Sequence, residues 1–160
     1  MKKLIAFLFV VLVANQTVFS QDEKKKEKWF DVEGCALCGC MKGHEDLMKN
    51  GGFSVHKVSK GMLMVHALNK KELAEMEAVS KEMEKQIAKL QQGQQLPLCG
   101  FCNSYGGLIA AGATFEEMKT AAGPATLVTS DDEDLIKKIH AFADRTKEEH
   151  EKMRKQKAKK

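Results

Sequence analysis

Residues 53–73 read FSVHKVSKGMLMVHALNKKEL, and residues 115–135 read FEEMKTAAGPATLVTSDDEDL. One constant offset aligns the two stretches in an ordered series: Phe53 with Phe115, Gly61 with Gly123, Asn69 with Asp131, and Leu73 with Leu135. Self-similarity at a fixed offset is typical of an internal repeat. The two stretches therefore predict that one structural unit is used twice.

Each stretch predicts a β-hairpin. In the first half, residues 53–58 and 62–68 are rich in strand-forming residues, and they flank Ser59-Lys60-Gly61, a turn with a glycine available for positive φ. In the second half, residues 114–120 and 125–129 take the corresponding places. The local pattern of 114–120 also fits a capped helix. We follow the repeat and expect strands there.

A long amphipathic helix is predicted after each hairpin, over about 70–91 and from about 131 towards 153. Both segments begin with capping or acidic side chains, and their apolar residues recur at steps of three and four. Shorter helices are predicted after two cysteine pairs, over 41–49 and 103–111. Glycines close after them suit helix ends.

The predicted fold class is therefore α+β. The unit CxxC–α–β–β–α occurs as a tandem pseudo-repeat, and the most economical arrangement is one antiparallel four-stranded sheet with the two long helices on one face. Residues 31–150 form a single two-repeat globular domain in this prediction. Its first half covers 31–92 and its second half covers 96–150.

The two ends of the chain differ in sequence pattern from the predicted domain at 31–150. Residues 1–20 have a short basic start, the apolar run Leu4–Val13 and small residues before a cut after Ser20, which is the layout of a signal peptide. Ten apolar residues are too few to span a bilayer. We expect an exported protein, periplasmic or secreted, that does not span the membrane after cleavage. Residues 21–30 are predicted to be a flexible N-terminal tail, and 151–160 a basic C-terminal tail.

Net charge and the motifs present argue against several classes of function. The chain has 160 residues, with 26 Lys and Arg against 22 Asp and Glu, and a net charge of +4 is too small to indicate nucleic acid binding. The sequence shows no Ser-His-Asp order, no phosphate loop and no paired catalytic carboxylates. We therefore assign no catalytic residue, no organic cofactor and no nucleic acid partner, and an enzyme is the less favoured class.

Five cysteines carry the chemistry that the sequence suggests. Two CxxC pairs place thiolates at i and i+3, so each pair can point at one ion, and two pairs complete a tetrahedral shell. The pairs resemble zinc-ribbon knuckles in spacing alone. The 60 intervening residues exceed the gap of zinc ribbons, but equivalent loops of a twofold repeat can meet at its axis. The predicted ligands are Cys35, Cys38, Cys99 and Cys102, with Cys40 and His44 as spare or exchange ligands.

Three hypotheses for the role of these cysteines remain open. In the first, the protein is a small exported metal-binding protein, with Zn²⁺ as the preferred ion and Cu⁺ as the alternative. In the second, export favours disulfides, and the protein is a disulfide-stapled interaction module. In the third, Cys99-Gly-Phe-Cys102 before a helix serves a periplasmic thiol–disulfide oxidoreductase. The metal ion is the one partner that the sequence predicts, and it identifies no protein partner.

Overall fold

The fold is taken from a computed structural model that describes residues 28–44, 47 and 52–157. Its elements are a short 3-10 helix at Cys38–Met41, strands β1 (Gly52–Val58) and β2 (Gly61–Ala67), and helix α1 (Lys70–Gln91). Helix α2 (Gly100–Ala110), strands β3 (Thr114–Thr120) and β4 (Gly123–Thr129), and helix α3 (Glu133–Lys157) follow. The predicted leader at 1–20 lies outside the described residues. So do residues 45, 46, 48 and 49 of the short helix predicted over 41–49.

The four strands form one antiparallel sheet in the order β1-β2-β4-β3. This confirms the predicted α+β class and its four-stranded antiparallel sheet. Residues 114–120 form a strand although their local pattern also suits a helix, because each of them pairs with a residue of β4. Pairing across the sheet has overridden local propensity there.

The two hairpins are related by the offset found in the sequence. Each strand of the second hairpin begins and ends at that offset from the matching strand of the first. At the centre of the sheet, Met64 pairs with Thr126, which lies at the same offset. The helices that follow the hairpins are packed differently, so the halves are not structural copies of each other. The full pseudo-repeat therefore stays a prediction.

Glycine is required at the start of β2 for a reason that the sequence did not indicate. Gly61 does not have the expected positive φ, but a Cβ at this position would collide with the carbonyl oxygen of Val128 on β4. Gly123, at the start of β4, approaches the carbonyl oxygen of His66 in the same way and has φ 137°. The close approach of the two central strands therefore excludes side chains at both positions.

The main core lies between the sheet and α3. Met62, Met64 and Val128 from the sheet pack against Ile139 and neighbouring residues of α3. Trp29 and Phe30, which fall in the predicted N-terminal tail, also belong to this core, and Trp29 is only 5% exposed. At the other end, α3 continues to Lys157 through most of the predicted C-terminal tail.

Helix α1 does not share the sheet with α3, contrary to the predicted arrangement of both long helices on one face. It packs against the 3-10 helix, and its Val79 joins Leu47 and Leu68 in a second, smaller cluster. Leu73 and Leu135, expected at equivalent core places, therefore lie in different clusters. The physical reason is that α2 occupies the space beside α3, with Tyr105 against Phe115 of β3. In a symmetric arrangement of the two halves, α1 would have packed in that space.

None of the helices in the described ranges has the length and apolar character of a membrane span.

Candidate metal centre

Four cysteine sulfurs from two distant parts of the chain meet in one place. The Sγ atoms of the cluster all lie within 4.8 Å of one another, and Cys38 Sγ is 3.5 Å from both Cys99 Sγ and Cys102 Sγ. Sulfurs bonded to a tetrahedral ion at about 2.3 Å are about 3.8 Å apart. The spacing thus suits one four-coordinate ion. The cluster, called the Cys₄ site below, consists of Cys35, Cys38, Cys99 and Cys102.

The first pair is carried by a chain of tight turns. The Asp31 carboxylate accepts hydrogen bonds from the amides of Glu33 and Gly34 at 3.2 and 3.1 Å, and the Asp31 carbonyl accepts from Cys35 N–H at 3.1 Å. An aspartate that binds the backbone two or three residues ahead stabilises such a turn. The 3-10 helix begins directly afterwards at Cys38. The two sulfurs of the pair are therefore set by local hydrogen bonds.

The second pair lies at the start of α2. Cys99 is the N-cap residue in extended conformation, and Cys102 falls in the first turn. The first N–H groups of a helix have no partner within it. Here those of Gly100 and Phe101 donate to the carbonyls of Lys28 and Trp29, at 3.0 and 2.9 Å. This contact fixes the N-terminal segment against the beginning of the helix.

The two turns are also joined directly by the backbone. Ala36 N–H, inside the first CxxC, donates to the carbonyl of Pro97, two residues before Cys99, at 2.8 Å. The two CxxC loops do meet, as predicted, and they do so through a backbone bond as well as through the sulfurs.

Backbone amides also point at the sulfurs themselves. Cys38 N–H donates to Cys35 Sγ at 3.4 Å, and Cys99 Sγ accepts from the amides of Cys102 and Asp31. The i+3 amide therefore faces the first sulfur of each CxxC. Groups that hydrogen-bond to a ligand atom orient it and disperse its charge. Both turns are thus built to hold thiolates.

Crowding of the four sulfurs controls their protonation. Hydrogen bonds from Cys102 and Cys38 hold the pKa of Cys99 well below its usual value. Hydrogen bonds with Cys38 and with Cys99, together with burial, raise the pKa of Cys102. For Cys38, the bond with Cys102 lowers the pKa, but the bond with Cys99, burial and the Cys99 charge raise it overall. The cluster therefore favours one thiolate by itself, and a cation is needed to stabilise several.

The two spare ligands of the sequence prediction lie elsewhere. Cys40 Sγ lies 3.5 Å from the Ala36 carbonyl and packs towards the second cluster, and burial raises its pKa. His44 directs Nδ1 towards the Glu75 carboxylate of α1 at 3.8 Å. Neither residue belongs to the group of four whose ligand atoms lie within 4.8 Å of one another.

An aromatic cluster lies beside the site and links it to the core. Phe101, inside the second CxxC, contacts Trp29 and Phe142 at ring-centroid distances of 6.1 and 5.2 Å. The Arg145 guanidinium lies 4.4 Å from the centre of the Trp29 ring. Sequence reasoning missed Trp29 and Asp31. The Asp-x-x-Gly spacing at 31–34 was the available signal for the turn, whereas nothing local indicates that Trp29 is buried.

The comparisons with known proteins found no match to this chain among family models, curated proteins or solved structures.

Proposed function

We propose that this chain is an exported small protein that binds one metal ion through the thiolates of the Cys₄ site, with Zn²⁺ preferred and Cu⁺ as the alternative. The observation that carries the proposal is the meeting of four sulfurs, two from each CxxC, within 4.8 Å. Their hydrogen bonds with backbone amides add to it. Export rests on the signal-peptide pattern of residues 1–20.

The distances favour a metal over disulfides. A disulfide requires an S–S distance of about 2.05 Å. Cys38 Sγ lies 3.5 Å from Cys99 Sγ and 3.5 Å from Cys102 Sγ, and all five cysteines are free thiols. Cys38 also lies equally far from two sulfurs. That arrangement suits a shared central ion better than a pairwise bond.

Zinc is preferred because the cluster offers four thiolates in a closed, largely buried arrangement, which is typical of structural zinc sites. Cu⁺ also favours soft sulfur ligands. Among the methionines that the structure describes, Met62 and Met64 fill the main core, and Met41, Met76 and Met83 pack against the second cluster. Methionine in such places fills space.

The role of the bound ion is structural in this proposal. Four protein ligands leave no open position for a substrate. The ion would join the segment around Cys35 and Cys38 to the start of α2, and so hold Trp29 over the core. Its binding free energy would thereby contribute to folding.

A thiol–disulfide oxidoreductase is the second candidate, because one observation favours it. Cys99 caps the N-terminus of α2 and Cys102 lies one turn on, which is a position where a helix end stabilises a reactive thiolate. Burial argues against it, since such an enzyme needs an accessible reactive thiol and Cys99 is only 4% exposed.

Thiol titration of the native protein, with and without a chelator, separates these functions. A metal site protects four thiols until chelation and leaves Cys40 to react, and elemental analysis then gives one ion per chain and its identity. Disulfides would show a single thiol under both conditions. A redox pair would show one fast thiol with no metal present. Export is tested separately by N-terminal sequencing of the exported chain, which we expect to start at Gln21.

A further inference from the structure

Among the residues that the structure describes, no helix covers one face of the sheet. Side chains alternate between the two faces along each strand, and those of directly paired residues lie on the same face. The face with Met62 and Val128 is covered by α3. Helix α2 touches β3 through Tyr105 and Phe115 on that same side. Among the described helices, only α3 makes extensive contact with the sheet. The opposite side is called the open face below.

The open face is apolar at its centre. The register assigns to it Val58, Leu63, Val65, Met118, Ala125 and Leu127. Apart from Ala125, which is buried, these side chains keep part of their surface in contact with solvent, and Val58 is 36% exposed. The face carries one carboxylate, Glu116, and no lysine or arginine, in a chain with 30% charged residues. Low charge around an apolar centre is typical of a protein interface.

One row of paired residues across the open face shows that the two edges of this face are chemically complementary. His56 pairs with Leu63, Leu63 with Leu127, and Leu127 with Glu116, so these four residues cross the sheet in a straight line. The imidazole lies on edge strand β1 and the carboxylate on edge strand β3, with two leucines between them. Turning a copy over about an axis parallel to the strands exchanges the two edges.

We propose that the open face binds the open face of a second copy of this chain, about a twofold axis parallel to the strands. Leu63 of each copy then lies over Leu127 of the other, and His56 lies over Glu116 of the other, at both edges. Two sheets pack face to face about 10 Å apart in this way. An interface in which one patch binds the same patch of the partner is the commonest symmetry of homodimers.

The size of the face indicates the strength of this dimer. Four strands about 4.8 Å apart and seven residues long, at about 3.3 Å per residue, give a flat area of about 440 Å² per copy. The accessible surface of a corrugated face exceeds its flat area. The total area buried by the two copies therefore approaches the lower end of standard interfaces, about 1,200 Å². We therefore expect a reversible, concentration-dependent dimer.

The test is sedimentation velocity of the metal-loaded chain over a wide range of concentrations, with reductant present and one ion per chain verified. The chain should shift from monomer to dimer as its concentration rises. Leu127→Lys places a buried charge at the centre and should abolish the dimer. Ala78→Lys, on the exposed outer face of α1, is the matched control and should dimerise as the parent does.

A charge exchange tests the orientation. Glu116→Lys, at an exposed position, should weaken the dimer about tenfold, because it replaces the carboxylate that faces the His56 imidazole with an ammonium group that cannot accept a hydrogen bond from it. The double variant His56→Glu with Glu116→Lys should restore it. A chain that stays monomeric at every concentration overturns the proposal, as does a dimer that persists in Leu127→Lys or a double variant as weak as Glu116→Lys. Metal content and circular dichroism equal to those of the parent verify that each variant is folded.

Discussion

Replacing one cysteine of the Cys₄ site should destabilise the protein far more than replacing the cysteine next to it. Cys38→Ser removes the sulfur that lies 3.5 Å from both sulfurs of the second pair. Cys40→Ser is the matched control, because Cys40 is two residues away, lies outside the group of four, and its sulfur makes a weak hydrogen bond with the Ala36 carbonyl at the edge of the second cluster. A serine hydroxyl can take over that contact.

The size of the effect follows from the loop that the ion closes. Cys38 and Cys99 are 61 positions apart in sequence, and an ion bound by both cross-links them. The chain-entropy relation for a cross-link around a loop of about 60 residues gives about 4 kcal/mol at 25 °C. For a domain of this size, the loss should lower the melting temperature by roughly 10–15 °C.

Thermal unfolding followed by circular dichroism, with reductant present and metal measured in each sample, checks this prediction. Cys38→Ser should lose the ion and melt at the temperature of the chelated parent. Cys40→Ser should keep one ion per chain and stay within about 1 kcal/mol of the parent. An unchanged melting curve after complete chelation of the parent would refute a structural site. Loss of the ion in Cys40→Ser but not in Cys38→Ser would refute the ligand assignment.

Three further predictions concern the fold around the site. Gly61→Ala should destabilise the protein by about 3 kcal/mol, because the new Cβ would meet the Val128 carbonyl oxygen. Gly106→Ala, which has open space in the middle of α2, should stabilise the protein by about 1 kcal/mol. Urea unfolding measures both free energies, and equal effects would contradict the packing argument. Thr146→Val should raise the free energy of unfolding by about 1 kcal/mol, since the Thr146 hydroxyl is buried and has no hydrogen-bond partner among the described residues. A loss of stability in the same assay would show that the hydroxyl has one. Burial, followed by the neighbouring His150, lowers the pKa of His66 below that of the unfolded chain, so the unfolded state binds the proton more readily and stability falls as the pH drops below about 6.5. His66→Leu should reduce that loss in urea unfolding between about pH 7 and 5.5, and identical pH profiles would count against it.

Much of the architecture was predictable because the signals that set it are local. Strands over 53–58 and 62–68 follow from composition and a turn, and they match β1 and β2 closely. The start of α1 follows from Asn69 and Glu72, which form the capping box in the structure. The CxxC spacing likewise identified four sulfurs that could share an ion, since two residues between cysteines already place both thiols on one turn.

Other features depended on contacts between distant residues. The local pattern of residues 114–120 fits a helix whereas the repeat predicts a strand, and pairing with β4 decides between them. The position of α1 was predicted wrongly because an amphipathic helix specifies that it must bury one side, but not against which surface. The burial of Trp29 depends in the same way on backbone bonds from the start of α2, which is far away in sequence.

The sequence by itself therefore determined the first hairpin, the two long helices, the α+β class and the set of cysteines, because periodicity, capping and CxxC spacing act over a few residues. The tertiary structure alone decided that the two CxxC turns meet, that Cys40 and His44 lie apart from the four sulfurs, and that the first long helix leaves the sheet. These outcomes depend on which surfaces fill the space beside the sheet. Because α2 and Trp29 pack against α3, α1 buries its apolar side in the second cluster and not on the sheet.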